Sequence, residues 1–313
     1  MIKEEFYFDS RDGENRIHAV RYTPDDGNVR GIVQIVHGMA EYVERYENLA
    51  EFLTKRGILV TGEDHLGHGK SVSEGGSFGY FCEQDPATVV VRDVHRLKKI
   101  TEEQYPQVPY IILGHSMGSF IARNYLCRYG SGIDGAVIVG TGMQSSGLIF
   151  ASKAMAGIQK LFCGSKHVSH FIDKAAFGGY NKRIDSPRTS SDWLSRNTDN
   201  VDRYIADELC GFTFTVNGFQ TLFELIRRLQ KQENLEKVPQ NLPILMVSGE
   251  EDPVGDYGKG VHKACDSLKR AGVKNIIVKL YENDRHELLN EDDAETAMED
   301  IWQWICKEVP GIV

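Results

Sequence analysis

Short apolar runs, many of them rich in β-branched residues, alternate along this chain with longer stretches whose apolar positions recur every three or four residues. Gly31 to Val36, Ile58 to Thr61, Tyr110 to Leu113, Gly135 to Gly140, Pro243 to Gly249 and Ile276 to Tyr281 read as strands. Between them, Tyr46 to Arg56 carries Leu49, Phe52 and Leu53 on one side, and Ala87 to Glu103 repeats Val90, Val94 and Leu97 at helical spacing. Further helices are expected from Ser119 to about Tyr129, over Gly260–Ala271 and over Ala294–Lys307. Two more polar runs, Lys3 to Phe8 and Arg16 to Tyr22, flank a turn-rich segment and suit antiparallel strands at a sheet edge. Strands alternating with helices predict an α/β fold, a mostly parallel central sheet with helices on both faces.

The rhythm breaks after the sixth strand. From Met143 to Lys237 the pattern holds no convincing core strand, only helical stretches such as Leu148–Leu161, Ser190–Leu194, Val201–Ala206 and Phe219–Gln230. The expected organisation is a core over residues 1–142 and 239–313, interrupted by a helical cap or lid over 143–238. An insertion at that point lies over the carboxyl ends of the strands, where α/β sheets place their ligands.

Composition narrows the classes of function. The 313 residues carry a net charge of −9, which argues against nucleic acid as a partner. The first residues lack the charged-then-apolar plan of a signal peptide, and no apolar run reaches transmembrane length. A cytoplasmic protein with reduced thiols is therefore expected. The six cysteines are scattered without metal-like spacing and read mostly as core filler.

One strand ends in chemistry. Tyr110-Ile111-Ile112-Leu113 runs into Gly114-His115-Ser116-Met117-Gly118 and then into a helical pattern. That strand–turn–helix context makes Ser116 a candidate nucleophile on a tight elbow, with small residues required on either side. An acyl-transfer serine needs a base, an orienting acid and donors for the developing oxyanion. The elbow orders these as Ser, then Asp or Glu, then His. Outside the cap, the histidines after Ser116 are His262, inside a predicted helix, and His286, in a loop after the last strand. His286 is the expected base. The acid is expected in the loop after the preceding strand, where Glu250, Glu251 and Asp252 compete. Asp252 lies farthest into that loop, with Pro253 stiffening the backbone behind it. Asp284 is a further contender, though close in sequence to His286. The backbone N–H groups of Met117 and Met39 are the expected oxyanion donors, each worth roughly 3 kcal/mol of transition-state stabilisation.

Other motifs do not complete. His286-Glu287-Leu288-Leu289-Asn290 has Asn290 where a zinc-protease helix needs its second histidine. His65 and His68 flank a glycine and read as a structural turn more readily than as a metal site. Gly140-Thr141-Gly142 lacks the rest of a dinucleotide fingerprint.

Taken together, His37-Gly38-x-x-Glu41 with Arg45-Tyr46, Asp64-His65-Leu66-Gly67-His68-Gly69, Leu113-Gly114-His115-Ser116-Met117-Gly118, the Gly249–Gly255 loop and His286–Glu291 resemble the monoacylglycerol lipase and lysophospholipase branch of the α/β-hydrolases. The resemblance implies hydrolysis of monoacylglycerols, lysophospholipids or simpler esters without a cofactor or metal. It also implies that Glu41 and Arg45 brace the oxyanion loop and the polar end of the site; the alternative is an exposed i, i+4 ion pair worth a few tenths of a kcal/mol. Ala40 and Ser119 stand where glycine is common in that branch, which predicts altered local packing with the site retained.

Within the cap, Leu148 to Phe162 is apolar enough to guide an acyl chain, with ordinary packing onto the core as the other reading; transient contact with a membrane surface is expected, if anywhere, through the cap. A short-chain esterase, an acyltransferase, a small-amide peptidase and a catalytically silent binding protein remain as alternatives. The complete ordered set Ser116, Asp252, His286 speaks against the last.

Overall fold

The computed structural model describes residues 1–312. One sheet of eight strands runs through it in the order β1-β2-β4-β3-β5-β6-β7-β8. β1 (Ile2–Asp9) and β2 (Arg16–Thr23) form the antiparallel edge, and β2 also runs antiparallel to β4 (Ile58–Glu63). From β4 onward every neighbour is parallel: β3 (Gly31–Val36), β5 (Tyr110–His115), β6 (Gly135–Val139), β7 (Ile244–Gly249) and β8 (Ile276–Tyr281). The parallel strands β3 to β7 are buried along their whole length, which explains why Val, Ile and Leu dominate them.

Helices cover both faces. α1 (Glu47–Thr54) and α10 (Ala294–Glu308) place Leu49, Leu53, Ile301 and Ile305 in one apolar layer. α2 (Pro86–Gln104), α3 (Met117–Tyr129) and α9 (Lys259–Arg270) place Val90, Val94, Ile121, Tyr125 and Leu268 in the other. The expected mostly parallel sheet with helices on both faces is the observed one.

Between β6 and β7 the described residues form α4 (Ser146–Cys163), α5 (His170–Phe177), α6 (Thr198–Ala206), α7 (Val216–Leu229) and the short α8 (Gln232–Leu235). Only an isolated bridge, Val168 to Thr215, adds strand-like pairing there. α7 roofs the larger apolar layer through Phe219, Leu222 and Leu225. α5 is a helix beyond the stretches named from the sequence, and two local expectations are refined. Ser190–Leu194 holds only a single 3₁₀ turn over Asp192–Leu194, with the Asp192 carboxylate turned back to accept the Arg188 and Thr189 amides that precede it. α4 packs one face against α7, burying Ile149 and Ala156 in the larger apolar layer, and leaves the other open: Phe150, Leu161 and Phe162 are 76%, 85% and 84% exposed. No described helix is long and apolar enough to cross a membrane.

Candidate active site

β5 ends at His115 and α3 starts at Met117, so the chain reverses on Ser116 alone. Ser116 sits at φ 54°, ψ −121°, a conformation a non-glycine residue holds only where its surroundings enforce it. They do so here. The Ser116 N–H donates to Val139 of β6 at 3.0 Å, and its carbonyl accepts from the Ser119 amide and hydroxyl at 2.9 and 2.5 Å. Ser119, where glycine was the expected residue, thus takes part in the turn and also donates to the Thr141 hydroxyl at 2.8 Å. The elbow glycines are needed for space: a Cβ on Gly118 would run into the Val36 carbonyl, and one on Gly114 would lie 2.7 Å from the Ala122 methyl.

The loop after β7 delivers Asp252 and the loop after β8 delivers His286, both buried. His286 Nδ1 donates to Asp252 Oδ2 at 3.0 Å, while Asp252 Oδ1 accepts the Val254 amide at 2.8 Å. Burial alone would raise the Asp252 pKa; the charge and hydrogen bond of His286 outweigh it and hold the carboxyl below its usual range. The imidazole lies between two rings, with centroids 4.8 Å from His115 and 5.1 Å from Trp193. The competing residues lie elsewhere. Glu250 and Glu251 are exposed, His262 is on the outer side of α9, and Asp284 is engaged by Arg196. Ser116 and His286 line one and the same cavity.

Met39 and Met117 line the same cavity beside Ser116. Met117 opens α3, so its N–H has no partner within the helix and is free for a ligand. On the other side, the loop after β3 is held by Glu41. Its Oε1 accepts the Gly38 amide at 2.5 Å and the Tyr46 hydroxyl at 2.8 Å, and lies 3.2 Å from His115 Nδ1.

Arg45 bridges Glu41 Oε2 at 3.0 Å and both oxygens of Glu287 at 2.7 and 2.8 Å. The exposed ion-pair reading is therefore wrong: the Arg45 and Glu41 side chains are only 10% and 4% exposed, because Glu287 and, from α6, Asn200 and Tyr204 close over Arg45. Burial opposes charge on Glu41, but His115 and Arg45 prevail and hold its pKa far below the usual carboxylate value. Likewise burial opposes charge on His115, yet its bond to Glu41 raises the imidazole pKa.

Sequence reasoning missed Glu287, His115 and Asn200. Asn200 donates to Glu287 at 2.7 Å, and the second nitrogen of His115 sits 3.1 Å from the His286 carbonyl. None of the three left a usable signal, because each acts through a partner far along the chain.

A family model described as serine aminopeptidase, S33, matches residues 27–293. The chain belongs to this family. Monoglyceride lipase of Rattus norvegicus is 27% identical over 92% of this chain and 86% of its own length. Monoacylglycerol lipase of Mycolicibacterium smegmatis is 28% identical over 92% of both. The solved structure of a thermostable carboxyl esterase from Bacillus coagulans, in complex with glycerol, superposes with a TM-score of 0.92 at 31% identity over the whole of both chains. The resemblance to the monoacylglycerol lipase branch of the α/β-hydrolases thus extends far beyond the motifs.

In this S33 family member the cavity above Ser116 measures about 640 Å³. Leu148, Ile149 and Met155 of α4, with Leu222, Phe223 and Ile226 of α7, form much of its apolar wall. His65 and His68 lie outside it in a buried cluster, where the His37 and His65 rings stack at 4.0 Å and the His65 amide donates to His37 at 2.9 Å.

Proposed function

We propose that this chain hydrolyses carboxylic esters, monoacylglycerols foremost, through an acyl-enzyme on Ser116. The observation that carries the reading is the buried Asp252–His286 pair opening onto the same largely apolar cavity as a strained Ser116. His286 Nε2 takes the Ser116 proton as Oγ attacks the carbonyl, and the Met39 and Met117 N–H groups receive the oxyanion. His286 then returns that proton to the leaving alkoxide, and a water activated by the same ring releases the fatty acid.

The relatives named as lipases and an esterase favour esters over peptides; of the carboxylates lining the cavity, Glu41 and Glu287 are spent on Arg45, while Asp173 forms no ion pair among the described residues. The names of the relatives favour a glyceride, and the apolar cap wall suits an acyl chain of a monoacylglycerol or lysophospholipid. Residues 143–238 act in this reading as the cap. The exposed Phe150, Leu161 and Phe162 of α4 form an apolar surface of the kind that meets lipid, so transient contact with a membrane surface belongs to the proposal. Six unpaired cysteines support a reducing compartment, the cytoplasm.

The test is labelling by a fluorophosphonate probe, followed by rates on p-nitrophenyl esters of rising chain length beside monoacylglycerols and lysophospholipids. Loss of labelling in Ser116→Ala and preference for glyceride esters are expected. Equal labelling of Ser116→Ala sinks the serine-hydrolase reading, and turnover of acetyl or butyryl esters alone sinks the lipase one.

A further inference from the structure

Ala40 occupies the left-handed region at φ 53°, is buried, and directly follows Met39. Glycine would sit there freely, whereas a Cβ makes the conformation unfavourable unless something holds it. What holds it comes from the cap. The Ala40 carbonyl accepts the Gly211 amide at 3.0 Å and the Tyr204 hydroxyl at 3.1 Å. The same cap segment, residues 198–211, reaches the loop twice more. Tyr42 donates its hydroxyl to Asp207 at 2.8 Å, and the Arg45 guanidinium lies over the Tyr204 ring, 4.9 Å from its centroid. On the other flank of Met39, the Gly38 amide is anchored on Glu41. The peptide carrying the Met39 N–H is therefore bracketed, by a core anchor before it and a cap anchor after it.

We propose that Tyr204 is a positioning residue: with Gly211 it holds Ala40 left-handed, so that the Met39 N–H faces the oxyanion only while segment 198–211 of the cap is seated. The inference rests on the serine-hydrolase reading above. It makes the cap a part of transition-state stabilisation as well as a wall for the substrate. A donor lost from the oxyanion site lowers kcat and leaves ground-state binding largely intact. A Tyr204 that instead gripped the substrate would change KM, and its effect would not depend on residue 40.

The experiment is steady-state kinetics on a water-soluble p-nitrophenyl ester, with the inhibition constant of a trifluoromethyl ketone whose adduct carries an oxyanion. Tyr204→Phe is expected to lower kcat by ten- to a hundredfold, with KM within threefold and ketone affinity falling in parallel with kcat. In the Ala40→Gly background, where the left-handed conformation needs no support, the same Tyr204→Phe change is expected to cost less than threefold. A kcat within threefold of wild type, a loss confined to KM, or an equal loss in both backgrounds overturns the proposal. If Tyr204→Phe does not fold, Tyr42→Phe removes another bond between the same segment and loop and is judged by the same criteria. Wild-type protein that neither turns over ester nor labels at Ser116 overturns the underlying hydrolase reading; an active wild type beside an indifferent Tyr204→Phe overturns this inference alone.

Discussion

Arg45 grips Glu287 with both terminal nitrogens of its guanidinium, Nη1 to Oε1 at 2.7 Å and Nη2 to Oε2 at 2.8 Å. The pair ties the turn after β3, which carries Met39, to the loop after β8, which carries His286. Glu41 shares the same guanidinium, so removing Arg45 strands two buried carboxylates. Arg45→Ala is expected to lower unfolding stability by about 3–5 kcal/mol. Arg45→Lys should recover less than half of that, since one ammonium cannot reproduce the bidentate geometry. Urea denaturation of the three proteins decides it; a loss below about 1 kcal/mol in Arg45→Ala contradicts the role given to the network.

The acid can be assigned by comparing two loops. Asp252→Asn breaks the bond that orients His286 and is expected to lower kcat by roughly 10³- to 10⁴-fold, the scale set by losing the carboxylate of such a triad. Asp284→Asn loses only its contact with Arg196 and should stay within about tenfold of wild type. A larger kcat loss in Asp284→Asn means that the assignment is wrong.

Contact of α4 with lipid predicts a substrate-dependent defect. Phe150 and Phe162 project outward and line no part of the cavity. Replacing both with Ser should cut the rate on monoacylglycerol dispersed in vesicles about tenfold or more, as each buried phenyl is worth roughly 1.5–3 kcal/mol at an apolar surface. The rate on a soluble short-chain ester should stay within about twofold, because α4's cavity face is untouched. Parallel losses on both substrates would count against a lipid-contact role.

Asp93 of α2 holds the β1–β2 turn: it accepts the Ser10 hydroxyl at 2.7 Å and the Arg11 amide at 2.6 Å. Burial pushes its carboxyl up to about 7, with the two hydrogen bonds opposing that shift. In the unfolded chain an aspartate titrates near 4, so between roughly pH 4 and 7 the folded state binds the extra proton. The stabilisation is complete below about pH 4 and is lost as pH rises toward 7. From pH 5 to pH 8 wild type should lose about 2–3 kcal/mol that Asp93→Asn, with nothing to ionise, keeps. Urea midpoints at the two pH values measure it, and equal losses in the two proteins refute it.

The parallel sheet was legible because each buried strand is a short apolar run and each covering helix repeats its apolar residues at helical spacing. Ser116 was legible because an elbow is local: strand, Gly-x-Ser-x-Gly and helix are contiguous, and its sterics involve neighbours a few residues away. Asp252 and His286 followed from chain order once the elbow was recognised. α5 and the turn at Asp192–Leu194 were not, since short cap elements owe their shape to side-chain caps and packing more than to periodicity.

What the sequence by itself determined is therefore what depends on local spacing: the α/β layering, the elbow and the order of candidate groups behind it. What only the tertiary structure decided is everything carried by charge and hydrogen bonds between distant loops. Arg45 and Glu287 are 242 residues apart, and no spacing marks them as partners. The exposed face of α4 and the contacts of Tyr204 and Gly211 with Ala40 depend likewise on how the segment between β6 and β7 sits against the rest of the chain. Burial strips water from these groups and makes each partner obligatory, and burial is a property of the folded chain.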